Sequence, residues 1–317
     1  MIVSVLLVAA GFVALIFGAN WLVDGASALA RKYKVSDLVI GLTIVAFGTS
    51  APELVVNIIA SVNGYADIVL GNVIGSNNFN LFIILGLSGL ILPISVKSST
   101  AWKEIPISLV VSILLLLLLN DFIFSGTTYL GRTDGLLMLV LFCVFLYYVF
   151  TQLKSDPQTT EAAHQKSGKM IWGLIVVGMT GLILGGQLVV VNSVKVASLL
   201  GVSEKIIGLT IVAAGTSLPE LVTSIVAASK KNSDMVIGNV IGSNIFNMLL
   251  ILAIASLIKP IGYNPKFNPD LYILIGGTLF LLSSMLTGQK KKLDRWEAAV
   301  LFGFFIIYTF FLVVKEV

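Results

Sequence analysis

The sequence predicts an all-α integral membrane protein with ten transmembrane helices, arranged as two inverted repeats of five helices each. Its composition, the spacing of its apolar runs and an internal duplication support this fold class. Of the 317 residues, 57% are hydrophobic and 11% are charged, and the mean hydropathy is +1.02. Soluble domains carry about 25% charged residues, so we expect this chain to reside in a lipid bilayer.

Ten apolar runs have the length needed to cross a membrane, since a hydrocarbon core of about 30 Å requires about 20 apolar residues in a helix. The runs cover, approximately, residues 2–29, 38–61, 69–93, 104–120, 134–152, 170–199, 206–228, 236–258, 271–287 and 297–314. The first run has no basic segment before it and is too long for a cleaved signal. We therefore expect it to be retained as a membrane span.

A polar stretch, TQLKSDPQTTEAAHQKSGK, divides the chain almost in half. It predicts a first repeat at 1–152, a flexible linker at 153–168 and a second repeat at 169–317. We assign no chemistry to His164 in this stretch. Cys143 is the only cysteine, which excludes an intrachain disulfide.

The distribution of Lys and Arg predicts the orientation, because cytoplasmic loops carry the excess. With the N-terminus outside, fourteen of the twenty basic residues fall on the inner side, and six fall outside: Arg132, Lys195, Lys205, Lys259, Lys266 and Lys315. We expect a plasma-membrane protein with both termini extracellular and the 153–168 linker cytoplasmic. The net charge of +4 is explained by the basic loops that set the orientation, so it indicates no nucleic-acid partner. We also infer no protein partner.

The duplication is visible at a constant offset of 167 residues without gaps. GLTIVAFGTSAPEL at 41–54 returns as GLTIVAAGTSLPEL at 208–221 with twelve of fourteen positions identical, and GNVIGSNNFN at 71–80 returns as GNVIGSNIFN at 238–247 with nine of ten. Five spans in each half make the repeats inverted, which is an arrangement in which transporters bind substrates near the midplane. A purely architectural duplication would predict apolar residues at these positions, and the repeated Glu does not fit that alternative.

The first motif gathers oxygen atoms in one helical turn. Pro52 has no N–H, so the carbonyl of Gly48 loses its helical partner. Thr49 and Ser50 lie four and three residues before Glu53, on roughly the same helix face. The motif therefore combines a carboxylate, two hydroxyls and a freed backbone oxygen.

The two acidic residues of the repeated motif, Glu53 and Glu220, require a counterion. A charge at the bilayer centre costs at least about 2.5 to 3.5 kcal/mol. None of the twenty Lys and Arg residues lies in these spans, so we expect a dissolved cation to neutralise the carboxylates. Carboxylates with neutral oxygens suit a hard cation such as Ca²⁺. No His or Cys cluster favours Zn²⁺ or copper.

The second motif adds hydroxyl and amide groups. Ser76 and Asn80 are four residues apart, as are Ser243 and Asn247, so each pair faces one side of its helix. The glycines of the two GNVIG segments favour close helix approach. Interhelical packing and cation binding both explain the four polar residues, and the two interpretations are compatible.

GTSAPEL, GTSLPEL and the two GNVIGSN segments resemble the alpha-1 and alpha-2 repeats of the cation/Ca²⁺ exchanger superfamily, above all its prokaryotic Na⁺/Ca²⁺ exchangers. The resemblance covers essentially the whole chain. It implies two inverted five-helix repeats with four cation sites in a diamond between the second, third, seventh and eighth helices. It also implies that Na⁺ and Ca²⁺ compete for those sites.

The same resemblance implies which residues hold the ions. They are the carboxylates of Glu53 and Glu220, the hydroxyl or carbonyl oxygens of Thr49, Thr216, Ser50, Ser217, Ser76 and Ser243, the side chains of Asn80 and Asn247, and the backbone oxygens of Ala46 and Ala213. Many relatives have Asp at one of the two Asn positions. Asn at both weakens the case for K⁺ dependence and leaves the ion stoichiometry open.

In the family, the first and sixth helices slide across the core. Both carry many glycines here, although tight packing predicts the same residues. Asp24, the only acid in the first span, aligns with Val191. We expect Asp24 to have a local structural role or to lie near the cytoplasmic interface.

These observations predict a secondary antiporter that uses inward Na⁺ flow to expel Ca²⁺ by alternating access, with no cofactor beyond the transported ions. A Ca²⁺/H⁺ antiporter is the alternative within the same fold, and a cation channel is a less favoured one. Neutral oxygens beside each Glu favour Na⁺, because a proton needs no such cage. The sequence contains no nucleophile and base pair, no phosphate-binding loop and no soluble domain, so we expect no enzymatic activity.

Overall fold

The computed structural model of the chain describes residues 1–95, 102–120, 129–152, 167–200, 213–285 and 291–316. The described residues form ten helical segments: α1 (Ile2–Tyr33), α2 (Asp37–Thr49 and Ala51–Asn63), α3 (Ala66–Ile91), α4 (Glu104–Leu119), α5 (Arg132–Gln152), α6 (Gly168–Leu199), α7 (Ala213–Thr216 and Leu218–Ser229), α8 (Ser233–Ile258), α9 (Asn268–Ser284) and α10 (Arg295–Glu316). Residues 153–166 of the predicted linker, with His164, and residues 206–212 of the seventh run lie outside the described residues.

The long helices match the predicted spans in order. Helices α1, α3, α5, α6 and α8 are each long and apolar enough to cross a membrane, and the bent α2 meets the same criterion as one unit. Ile2, Leu6, Val13 and Phe17 of α1 are exposed at the outer surface of the bundle. A surface patch this apolar is typical of contact with lipid.

Helices α1 and α6 cross at very short distance through glycines. A β-carbon at Gly18 would lie 2.8 Å from the carbonyl oxygen of Gly178, and one at Gly178 would lie 2.8 Å from that of Gly18. Gly11 and Gly185 make the same reciprocal approach at 2.8 Å. Because Gly11 aligns with Gly178 and Gly18 with Gly185, each contact is the image of the other. The two halves are therefore related by a pseudo-two-fold axis that passes between α1 and α6.

Helices α2 and α7 break at equivalent serines. Ser50 has φ −82° and ψ 7°, and Ser217 has φ −87° and ψ 8°. A proline follows two residues after each serine, in the first turn of the new helix, where its missing N–H is tolerated. The two parts of α2 are bent by 48°. The sequence thus places the break beside the duplicated Glu, as the motif predicts.

Helices α3 and α8 change pitch at equivalent positions. Phe79–Ile84 in α3 and Phe246–Ile251 in α8 are π-helical turns. Such turns widen the backbone locally and are frequent at functional sites. Each starts one residue before the last Asn of the second motif, Asn80 in α3 and Asn247 in α8.

Two small antiparallel sheets, which the sequence analysis did not predict, close the ends of the bundle. Strand β1 (Ile94–Ser95) pairs with β4 (Lys292–Leu293), and β2 (Tyr129–Leu130) pairs with β3 (Ile261–Gly262). Each strand has two residues, which is too short for an alternation pattern to be recognised in a sequence. Their buried residues, such as Ile94 and Ile261, anchor the connections between helices.

Asp24 links α1 to the end of α7. Its carboxylate lies 2.9 Å from the ammonium group of Lys230, which also donates to the carbonyl oxygen of Asn20 at 3.2 Å. This link agrees with the local structural role expected for Asp24. The aligned positions, Val191 and Asn63, provide no equivalent ion pair.

Replacing Gly178 by Ala should lower the stability of the purified protein. The added methyl would lie 2.6 Å from the backbone nitrogen of Leu22, so the helices must separate. Overpacking costs about 1–3 kcal/mol, which exceeds the gain of about 1 kcal/mol in helix propensity. Thermal unfolding in detergent measures the change.

Gly173 on the same helix provides the control. A β-carbon there meets no described atom within 4 Å, so Gly173→Ala should unfold at the same or a higher temperature. Equal destabilisation by both substitutions would contradict the role assigned to the α1–α6 crossing.

Candidate functional site

Two carboxylates lie in the centre of the bundle. Glu53 and Glu220 are each only 1% exposed. Each lies in the first turn of the helix that follows a break, where the helix dipole favours negative charge. The breaks in α2 and α7 therefore create two helix N-termini inside the protein, and each holds one carboxylate.

Each carboxylate is bonded by a serine from the opposite repeat. The Ser50 hydroxyl donates to Oε1 of Glu220 at 2.9 Å, and the Ser217 hydroxyl donates to Oε1 of Glu53 at 3.0 Å. The oxygen of Ser76 lies 3.1 Å from that of Ser217. Because the single hydrogen of Ser217 is used by Glu53, Ser76 donates to Ser217. Residues from α2, α3 and α7 thus meet at one site.

Several buried oxygen atoms of this centre make no hydrogen bond to any described residue. They are Oε2 of Glu53 and of Glu220, Oδ1 of Asn80 and of Asn247, and Oγ of Ser243. A buried acceptor without a partner loses its hydration without compensation, at a cost of about 1–3 kcal/mol and more when it is charged. The centre therefore has an excess of electron-pair donors that a positive ion would satisfy.

The side chains of Asn80 and Asn247 lie in the π-helical turns of α3 and α8. Both are 1% exposed. The turn that contains Asn80 packs against Leu218–Ser229, the helix of Glu220, and the turn that contains Asn247 packs against Ala51–Asn63, the helix of Glu53. The turns that carry the two amides therefore lie against the helices of the carboxylates.

Thr49 belongs to a polar network that the sequence analysis did not identify. The Thr49 hydroxyl lies 3.1 Å from Oδ1 of Asn239 and 3.3 Å from the carbonyl oxygen of Ala46. The amide nitrogen of Asn239 donates to the carbonyl oxygen of Glu220 at 3.2 Å and to Ser224 at 2.9 Å. Asn239 thus ties α8 to both broken helices.

The aligned residues around Glu53 form a corresponding network with different donors. Asn57 donates to the carbonyl oxygen of Glu53 and to Oδ1 of Asn72, both at 2.7 Å. Asn72 in turn donates to the hydroxyl of Thr216 at 3.3 Å. Asn72 and Asn239 are aligned residues of the GNVIGSN motifs, and their identity at the offset of 167 is the signal that could have found them.

The other predicted site residues have different surroundings. The carbonyl oxygen of Ala46 accepts the backbone N–H of Ser50 at 3.0 Å. Ala213 begins the described part of α7, and its side chain lies outside the described residues. Ser243 is fully buried, but among the described residues it makes no bond equivalent to that of Ser76.

The glycines of the second motif confirm close packing in one repeat. A β-carbon at Gly238 would lie 2.7 Å from the carbonyl oxygen of Leu38, and one at Gly242 would lie 2.8 Å from the β-carbon of Ala46. The residues that correspond to these partners in the other repeat are 205 and 213. Residue 205 lies outside the described residues, so the structure tests this prediction for α8 and α2 only.

The electrostatics of the centre are dominated by the two carboxylates. Within the described residues, neither Glu53 nor Glu220 forms a salt bridge, and no group of three or more His, Cys, Asp and Glu side chains comes together. The oxygen donors are hydroxyls, amides and carboxylates. This donor set suits hard cations and not soft ones.

Inverted repeats with broken helices around a membrane-buried pair of carboxylates define a secondary transporter for cations. The chain belongs to the sodium/calcium exchanger protein family, whose model matches residues 3–151 and 170–314. It is 38% identical to a putative antiporter, CaxA, of Alkalimonas amylolytica over 98% of this chain and 99% of that protein. It is 31% identical to the sodium/calcium exchanger MaX1 of Methanosarcina acetivorans over 96% of this chain and 97% of that protein.

The fold matches solved structures of the sodium-calcium exchanger NCX_Mj. One of them superimposes with a TM-score of 0.83 at 32% identity, covering 96% of this chain and 97% of that chain. The prediction of ten helices in two inverted five-helix repeats is therefore confirmed. The chain is a multi-pass membrane antiporter of the cation/Ca²⁺ class, and its family is one of transporters and not of enzymes.

Replacing Asn239 by Leu should destabilise the protein by about 1–3 kcal/mol, because Thr49, Ser224 and the Glu220 carbonyl lose a buried partner. The aligned Asn72→Leu substitution should have a similar effect. Thermal unfolding of the purified variants measures both. The exposed Asn63, whose amide bonds only the carbonyl of Ile59 among the described residues, is the control, and an equal loss in Asn63→Leu would contradict the network.

Proposed function

We propose that the chain exchanges Na⁺ for Ca²⁺ across the cell membrane, with inward Na⁺ flow driving Ca²⁺ out. The observation that carries this proposal is the pair of buried carboxylates, each with one oxygen bonded by a serine of the other repeat and one oxygen without a described partner. Two negative charges without a salt bridge among the described residues require mobile cations. Such a site is stable only when ions occupy it.

The proposed ligands are the oxygens that surround this pair. Glu53 and Glu220 supply charge, and the neutral oxygens come from Thr49, Thr216, Ser50, Ser217, Ser76, Ser243, Asn80, Asn247 and the carbonyls of Ala46 and Ala213. Ca²⁺ takes six to eight oxygen ligands, so this set is large enough for it. The same set can hold Na⁺, since both ions are hard cations.

Competition at this site provides the coupling. Ca²⁺ and a full set of Na⁺ ions use the same two carboxylates, so they cannot occupy the site together. A loaded site is nearly neutral and can be covered by apolar helices, whereas two bare carboxylates oppose closure. Only loaded molecules then change their access, and each Ca²⁺ that leaves is exchanged for Na⁺.

Helices α1 and α6 are the proposed moving part. They are joined to each other by the glycine crossing, and α6 covers both breaks. Met179 of α6 packs against Gly48, Val190 packs against Gly215, and Gly186 faces the ring of Pro219. A rigid pair in contact with both breaks is placed to expose the carboxylates to one side at a time.

We place both termini outside the cell, because fourteen basic residues lie on the opposite side. In a Cys143→Ser background, a cysteine at Ser155 should react with a membrane-impermeant maleimide only after the cells are permeabilised. A cysteine in place of Tyr65, which is exposed in the connection between α2 and α3 on the proposed outer side, should react in intact cells. The reverse pattern would overturn the orientation.

Glu53→Gln and Glu220→Gln should each reduce Ca²⁺ uptake into Na⁺-loaded proteoliposomes by at least about tenfold, because a buried charge partner of the cation is lost. Glu104→Gln is the matched control. Glu104 is also buried, 2% exposed, but its carboxylate accepts a hydrogen bond from the hydroxyl of Tyr148, away from the central site. Undiminished uptake in both central variants would contradict the proposal.

The driving ion is tested with the same vesicles. An outward Na⁺ gradient at equal pH should support uptake, and a pH gradient without Na⁺ should not. Uptake driven by the pH gradient alone would identify a Ca²⁺/H⁺ antiporter, the alternative within this fold.

A further inference from the structure

Hydrogen bonds between α3 and α8 link four asparagines in the order Asn80, Asn244, Asn77, Asn247, and the two middle members close a ring by each donating to the backbone of the other. Asn80 donates to Oδ1 of Asn244, and Asn247 donates to Oδ1 of Asn77, both at 3.0 Å. Asn77 donates to the backbone carbonyl of Asn244 at 3.4 Å, and Asn244 donates to that of Asn77 at 3.3 Å. All four side chains are at most 1% exposed. We call this set the asparagine ring; its two inner members are Asn77 and Asn244, and its outer members are Asn80 and Asn247.

The hydrogen bonds of the ring determine the orientation of each amide group. A backbone carbonyl can only accept a hydrogen bond, so each inner amide must turn its NH₂ group toward the carbonyl of the other helix. Its oxygen then faces the outer amide of that helix. The outer amide must present its NH₂ group in return. Its own oxygen is left over, and Oδ1 of Asn80 and of Asn247 makes no hydrogen bond to any described residue.

The leftover oxygens belong to the π-helical turns that pack against the helices of Glu220 and Glu53. For a cation, the two ends of an amide are opposites: the oxygen is a ligand, and the NH₂ group repels. An amide that is free to rotate can turn either its oxygen or its NH₂ group toward the cation. The ring removes this freedom.

We propose that Asn77 and Asn244 are positioning residues that hold the amide oxygens of Asn247 and Asn80 toward the transported ions, and so help to set affinity and selectivity for cations. This inference rests on the proposed function, since it requires ions at the central site. Neither inner residue touches an ion itself. Each acts through the outer residue of the opposite repeat.

The duplication separates ring members from an ordinary buried asparagine. Both ring positions are Asn in both halves, whereas Asn78, between them, aligns with Ile245. Asn78 is also buried, and its amide donates to the carbonyl oxygen of Asp270 at 3.0 Å, outside the ring. Asn78→Ile is therefore a matched control that the second repeat already accommodates.

The test uses the full-length protein in Na⁺-loaded proteoliposomes and measures Ca²⁺ uptake against Ca²⁺ concentration. Asn77→Leu should raise the KM for Ca²⁺ about tenfold or more. Asn247 loses the acceptor that orients its amide, so its oxygen is no longer held toward the ion. Asn78→Ile should leave this KM unchanged. A merely structural role would lower the amount of folded protein and the maximal rate, and not the KM.

A second substitution makes the orientation irrelevant. Asn247→Asp offers an oxygen in either rotamer, so Asn77→Leu should no longer raise the KM in an Asn247→Asp background. Persistence of the tenfold effect in the double variant would overturn the proposal, as would an equal rise in Asn77→Leu and Asn78→Ile. If Asn77→Leu does not fold, Asn77→Asp replaces it. This variant keeps an acceptor for Asn247, so its KM should stay at or below the wild-type value. A tenfold rise in its KM would overturn the proposal.

Wild-type vesicles separate the two proposals. Na⁺-driven uptake that depends on Glu53 and Glu220, together with a KM insensitive to Asn77, would reject the ring and leave the exchange function standing. Absence of Ca²⁺ uptake by the wild-type protein would reject both.

Discussion

The structure depends on the burial of two carboxylates that protein charges do not neutralise. Each costs at least about 2.5 to 3.5 kcal/mol at the centre of a membrane. Within the described residues, Glu53 and Glu220 are stabilised only by hydroxyl donors and by the N-termini of broken helices. The breaks are therefore required by the site: unbroken helices would bury the same charges without N-terminal dipoles or crossing serines.

Because of the inverted duplication, each repeat stabilises the carboxylate of the other. Neither repeat completes its own site, because the serine of each half bonds the carboxylate of the other. The glycine crossing of α1 with α6 and the asparagine ring of α3 with α8 repeat the same pattern of reciprocal contacts. Such contacts constrain the two halves to one relative arrangement at the centre of the bundle, where small displacements would separate donors from acceptors.

Much of this arrangement could be predicted from the sequence, because it follows from local sequence patterns. Apolar length predicts the spans, the proline after each serine predicts the breaks, and the offset of 167 residues pairs the carboxylates.

The partners within the site could not be predicted in the same way. That Ser50 bonds Glu220 rather than Glu53, or that Asn72 reaches Thr216, depends on the register between distant helices. The π-helical turns and the two-residue strands also arise from packing and leave no periodic signal. The identity of the two GNVIGSN segments could have marked Asn72, Asn77, Asn239 and Asn244 as polar residues repeated in apolar helices, and only the fold shows what each one bonds.

The link between Asp24 and Lys230 breaks the equivalence of the two halves. It joins α1 to α7 at one end of the molecule, and its image at the other end would pair Val191 with Asn63. A partly exposed ion pair contributes no more than about 1 kcal/mol, yet that is enough to shift a two-state population about fivefold. A chain of perfectly identical halves would rest with equal numbers of molecules facing each side. An access state that keeps this ion pair is favoured over one that breaks it, and salt weakens that preference because the pair is partly exposed.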